Sequence, residues 1–147
     1  MINKEKLKLG LDISKINHII SRKMDASVIS AIDDNLTISQ AYVIDFICNE
    51  GKDKDVFQKD LESVFDLKRS SISLMLNNME KSSLIERVPV KEDGRLKKIV
   101  LTEKSIKIYE KISDAIDLIE NKLSENITEE ELKVFQNVLN KIRNSIE

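Results

Sequence analysis

The 147-residue sequence holds three Gly, one Pro and one Cys, has no Trp, and is only 4% aromatic. Gly and Pro usually supply about 7% and 5% of residues. Punctuation this sparse leaves room for few turns, so long helices must carry most of the chain. A sandwich, a barrel or a doubly wound sheet is nearly excluded. One Cys cannot close an intramolecular disulfide, so a reducing cytoplasm is the expected home. One Cys and one His also make a dedicated zinc or copper site unexpected, and no cofactor is implied. No run approaches the roughly 18 apolar residues of a membrane span. Lys4, Lys6, Lys8 and Lys15 break up the start of the chain, which lacks a secretory signature.

Charge is plentiful: 34% of residues are charged against 41% hydrophobic, the balance of a soluble folded protein. The length suits a single domain, 1–147, with a real core. Lys plus Arg number 24 and Asp plus Glu 26, for a net charge of −2. The distribution is uneven. Residues 68–104 carry nine basic and five acidic side chains, a local +4, so the rest carries −6. A basic middle in an acidic frame suits a binder of polyanions.

Ile13, Ile16, Ile20, Met24, Val28 and Ile32 recur at helical spacing, which predicts a first long helix over 4–33. Thr37-Ile38-Ser39-Gln40 has the form of a capping box opening a helix over 39–49, with Ala41, Ile44, Ile47 and Cys48 inward. Cys48 ends an apolar run and reads as a core residue, since free Cys is among the most buried types. A short helix over 56–67, with Phe57, Leu61, Val64 and Phe65 as its stripe, leads through Asp66-Leu67-Lys68 into a helix from Arg69 to Ser82. There Ile72, Met75, Leu76 and Met79 share one face, while Ser70, Leu74, Asn77 and Lys81 centre the other. This is a helix-turn-helix pattern.

Residues 84–90 and 96–101 alternate as strands around Lys91-Glu92-Asp93-Gly94-Arg95, giving a basic-tipped hairpin. A helix-turn-helix followed by such a hairpin is a winged helix, expected over 36–102. Thr102 then caps a long helix to about residue 126, with Ile106, Tyr109, Ile112, Ile116, Ile119 and Leu123 inward. A second capping box, Thr128–Glu131, opens a last helix bearing Leu132, Phe135, Val138, Leu139, Ile142 and Ile146. The fold class is mainly α with a small β-hairpin wing. The helices of 1–35 and 103–147 show apolar faces the central lobe cannot cover, so a homodimer is expected. Its interface residues are Ile13, Ile16, Ile116, Leu123, Phe135, Leu139 and Ile142.

Residues 58–105 resemble the MarR family of bacterial transcriptional regulators. The likeness runs in order through Asp60-Leu61, Ser71-Ile72-Ser73, Met79-Glu80, Leu84-Ile85-x-Arg87, Asp93-Gly94-Arg95 and Leu101-Thr102-Glu103. Leu36-Thr-Ile-Ser-Gln40 matches the family's entry to its second helix. The departures are Ser83 and Ser105 where members often have Gly, and Leu74 where many have Arg or Lys.

The resemblance implies a homodimer that binds a pseudo-palindromic double-stranded operator, most often as a ligand-responsive repressor. The expected DNA contacts are Ser70, Ser71, Ser73, Leu74 and Asn77 on the recognition helix, with Lys68 and Arg69 meeting phosphate. The wing adds Lys91, Asp93, Arg95, Lys97 and Lys98, with Arg95 in the minor groove and Asp93 buttressing it. His18, Arg22 and Tyr42 are candidates for a small phenolic or anionic effector. Each has a plainer reading: serines cap helices, wing charges are solvated, and His18 is a surface or interface residue. No nucleophile–base pair, phosphate-cradling Gly loop or paired-carboxylate site occurs, so no enzymatic activity is expected. The alternative function is a winged-helix protein-interaction module with a weakened DNA face.

Overall fold

Helices carry most of the chain, as the scarcity of Gly and Pro requires. The computed structural model describes residues 8–33 and 35–147. Over these the order is α1 (Leu9–Ala31), α2 (Ile38–Glu50), α3 (Gln58–Phe65), α4 (Arg69–Lys81), β1 (Ile85–Pro89), β2 (Lys97–Leu101), α5 (Glu103–Ser124) and α6 (Glu129–Ile146). Residues 4–7, expected to begin the first helix, lie outside the described residues. Among the described residues no helix is long and apolar enough to cross a membrane.

Side-chain oxygens fix most of the helix starts. The Gln40 amide donates to Thr37 Oγ1 at 3.2 Å and the Thr37 amide to Gln40 Oε1 at 3.0 Å, a reciprocal cap. Thr128 and Glu131 repeat it at α6, at 3.3 and 2.9 Å. The Thr128 amide and hydroxyl hold the exposed Glu131 carboxyl below the usual range. Thr102 caps α5 through the Ser105 amide, and Asp60 reaches back to the Phe57 amide at 2.8 Å to start α3.

The core is built from Val28 of α1, Ala41, Val43, Ile44 and Ile47 of α2, Leu61, Ile72, Leu76, Met79, Ile85 and Ile99, and Ile112 and Ala115 of α5. One cluster thus joins the winged lobe to the adjoining parts of α1 and α5. Phe46 meets Phe65 edge-on, with ring centroids 6.1 Å apart, closing α2 over α3. β1 and β2 pair antiparallel from Ile85↔Leu101 to Pro89↔Lys97. The Ile99 amide donates to the Val56 carbonyl at 2.7 Å, fastening the segment before α3 to the wing.

α4 ends in a Schellman motif. Leu84 N donates to Met79 O at 2.8 Å and Ser83 N to Glu80 O at 3.0 Å. The motif needs a left-handed residue, and Ser83 supplies it at φ 58°. Thr102 Oγ1 then donates to Ser83 O at 2.6 Å, and the buried Ser105 hydroxyl donates to Leu84 O. Ser83 and Ser105 therefore meet at one junction, between the end of α4 and the start of α5.

Several expectations are corrected. α1 stops at Ala31 rather than at 33, because Ile32 turns extended and packs half-buried against the core. Val64 is 57% exposed: Leu61 and Phe65 set the inner face of the short α3, and nothing lies over its edge. Ile106 is 47% exposed because the buried Ser105 takes the inward position at the start of the face that Ile112, Ala115 and Ile119 continue. Cys48 is half-buried on the flank of α2, where Val43, Ile44 and Ile47 fill the core.

Candidate nucleic-acid interface

The outward face of α4 is polar and open. Ser70, Ser71, Asn77 and Lys81 are exposed, Ser73 is half-buried, and Leu74 is 63% exposed. No side chain caps the helix: Lys68 holds the N-cap position in extended backbone without a cap bond. Ser71 N donates to Lys68 O at 2.9 Å, so the amides of Arg69 and Ser70 are the ones left without a side-chain cap, beside the exposed Lys68 and Arg69 side chains. Serine capping, the plainer reading of Ser70, Ser71 and Ser73, does not occur here.

The wing tip is organised by Asp93. Its Oδ1 accepts the Arg95 amide at 2.9 Å and its carbonyl accepts the Leu96 amide at 3.0 Å. Asp93 thus supports Arg95 through the backbone, and the Arg95 side chain projects from a fixed turn. Lys91, Arg95 and Lys97 are exposed. Lys98 differs: it is half-buried and paired with Asp55 at 3.1 Å, which ties β2 to the segment before α3.

Between α3, the start of α4 and the wing lies a groove of about 400 Å³. Its charged lining is Lys59, Arg69, Arg87, Arg95 and Lys97 against one carboxylate, Glu62. Five cations converge where the hairpin meets the helix-turn-helix. The sequence patterns do not mark Lys59 or Arg87 as DNA contacts. Lys59 carries no local signal, since only the fold brings α3 beside the wing. Arg87 has one, its place in the Leu84-Ile85-x-Arg87 motif. Its Nη1 donates to Asn77 Oδ1 at 3.0 Å and lies 3.4 Å from Glu80 Oε2, bracing α4 from β1.

The effector candidates are only partly brought together. His18 is exposed on α1. Arg22 lines a shallow groove of about 270 Å³ with Ile19, Lys23 and Ala26. Tyr42 is half-buried and donates to Asp25 Oδ1 at 2.5 Å, joining α2 to α1. Burial, then the Asp25 bond and the negative charges of Asp25 and Asp45, push its phenol well above the ordinary range.

Away from the lobe, α6 has no buried residue. Leu132, Phe135, Val138 and Leu139 are 40%, 58%, 40% and 37% exposed, and Ile142 is half-buried. Ile13, Ile16 and Leu123 are 41%, 56% and 40% exposed, whereas Ile116 packs against the lobe core.

Residues 34–96 match the family model described as the MarR family. The crystal structure of the transcription regulator MarR from Oenococcus oeni is 28% identical over 91% of this chain and 96% of that one, with a TM-score of 0.65. Two further structures share the fold. MepR of Staphylococcus aureus in complex with DNA is 23% identical, covering 97% and 99% of the two chains at a TM-score of 0.79. A MarR family regulator from Listeria monocytogenes, complexed with a 26mer DNA, is 24% identical over 90% and 87%, with a TM-score of 0.73.

Proposed function

We propose that this chain is a MarR-family, double-stranded-DNA-binding transcription regulator that acts in the cytoplasm as a homodimer on a pseudo-palindromic operator. The observation that carries the reading is the groove in which Lys59, Arg69, Arg87, Arg95 and Lys97 surround a single carboxylate beside an uncapped recognition helix. Such a surface neutralises phosphates and leaves the outward face of α4 to read base edges. The family is one of transcription regulators, and no enzymatic activity is proposed for this member.

Lys68, Arg69 and the first-turn amides of α4 meet the backbone. Ser70, Ser71, Ser73, Leu74 and Asn77 enter the major groove. Lys91 and Lys97 flank the wing, whose Asp93-braced turn lays Arg95 in the adjacent minor groove. The exposed apolar side of α6, with Ile13, Ile16 and Leu123, covers its counterpart on a second copy, and Ile116 continues that seam toward the lobe. The dimer sets the two recognition helices about 34 Å apart, one turn of B-DNA. A small phenolic or anionic effector held by Arg22 and Tyr42, with His18 one turn away, changes that spacing and releases the operator.

The test is binding of the purified dimer to DNA from its own promoter region and to a scrambled duplex, each at two salt concentrations. Promoter preference that weakens as salt rises is the expected result. Weak and equal binding to both duplexes by a folded dimer would point instead to a protein-interaction module.

A further inference from the structure

We infer that Leu74 reads a thymine methyl group, so that each operator half-site carries an A·T pair beneath the centre of the recognition helix. The inference rests on the DNA-binding reading above. Leu74 is 63% exposed in mid-helix. Its neighbours one turn away, Ser70, Ser71, Asn77 and Asn78, are all exposed and polar. A branched apolar side chain ringed by polar groups gains by meeting an apolar surface, and the major-groove edge of DNA has one: the thymine C5-methyl group.

The rest of the face favours thymine over the other bases. Guanine is read by the fork of Arg or by Lys at O6 and N7, and the cations of α4 and its cap lie at the ends: Lys68, Arg69 and Lys81. Adenine needs an Asn or Gln that accepts and donates at once. Asn77 is three residues from Leu74, on the same side of the helix, but its Oδ1 already accepts Arg87 Nη1 at 3.0 Å, which holds that oxygen toward β1. One lone pair of Oδ1 is thereby engaged, while both amide hydrogens of Asn77 are free to donate. A donor there suits thymine O4, which lies beside the methyl group, and opposes the amino group of cytosine. Leu74 and Asn77 thus address adjoining features of one base.

The test uses the full-length protein and duplexes enriched by it from a random-sequence pool. Each thymine of an enriched duplex is replaced in turn by deoxyuridine, which removes the methyl group alone. At one thymine per half-site the replacement weakens binding roughly fourfold, and about fifteenfold when both half-sites are changed. Leu74→Ala binds the thymine duplex more weakly and loses nothing further on the uracil duplex. Because Leu74 is exposed, the variant keeps the wild-type unfolding midpoint. Uracil replacement that is neutral everywhere, or that costs Leu74→Ala as much as wild type, overturns the inference while operator binding stands. Failure to enrich any duplex over the starting pool overturns the DNA-binding reading and this inference with it.

Discussion

Ser83→Gly stabilises the folded protein by about 1 kcal/mol. Ser83 is held at φ 58° by the Schellman motif that ends α4. An L-residue in that region costs about 1–2 kcal/mol relative to the right-handed one. Glycine escapes this cost but brings a more flexible unfolded chain, which returns about 0.4–1 kcal/mol. The bonds at this position belong to the backbone: Ser83 N donates to Glu80 O, and Ser83 O accepts Thr102 Oγ1. They survive the substitution. For a domain of this size the gain amounts to about 2–4 °C in Tm. Thermal and urea unfolding at one fixed protomer concentration measure it, since the Tm of a dimer moves with concentration. Asp66→Gly is the internal comparison. Asp66 also sits left-handed, at φ 47°, but Asp tolerates that region better than Ser, so its gain is smaller. Ser83→Ala relieves nothing and stays near wild type. A Ser83→Gly protein no more stable than Ser83→Ala would refute the argument.

Three further outcomes are expected. Arg95→Ala leaves Tm unchanged but weakens operator binding, and the slope of log affinity against log salt falls by about 0.9 per protomer, or about 1.8 per dimer; an unchanged slope on salt titration removes Arg95 from the contact set. Phe135→Glu removes about 1.5–3 kcal/mol of apolar burial on each side of a two-fold interface, raising the dimer Kd by roughly 10²- to 10⁴-fold; sedimentation velocity analysis checks this, and an unchanged dimer argues against α6 as the interface. Burial raises the Asp45 carboxyl above its ordinary value; Asn49 partly opposes the shift, Asp117 adds to it and Lys52 opposes it. The folded state then holds the proton more tightly, so stability falls as pH rises from about 4, the unfolded value, through the raised folded one. Asp45→Asn flattens that fall and is more stable than wild type at neutral pH, as denaturant midpoints across pH show.

Much of the fold is legible in the sequence because its signals are local. Thr37 with Gln40 and Thr128 with Glu131 mark helix starts within four residues, and Ile72, Leu76 and Met79 fix the buried face of α4 by spacing alone. The hairpin follows from alternation and a turn around Gly94. What periodicity misses depends on partners far along the chain. Ile106 fits the apolar stripe of α5 but yields its place to Ser105, whose hydroxyl is satisfied by the Leu84 carbonyl. Lys98 looks like another wing cation until Asp55, distant in sequence, neutralises it. The groove is legible only in part: Arg87 and Arg95 stand in motifs and Arg69 and Lys97 in the helix-turn-helix and hairpin patterns, whereas Lys59 joins them because Ile99 pairs with Val56 and draws the start of α3 against the wing.

The solvent-facing apolar side of α6 also shapes inheritance. If subunits pair through α6 and meet the operator through α4 and the wing, as proposed, an allele damaged only in α4 or the wing still makes chains that pair with normal ones. At equal expression and random pairing, three of every four dimers then contain at least one defective lobe, and such alleles act as dominant negatives. Alleles that damage α6 make chains that cannot enter the pool, and these are recessive. Mutations scored for dominance in a merodiploid therefore sort by helix, and a dominant loss-of-function allele mapping to α6 would show that pairing runs through another part of the chain.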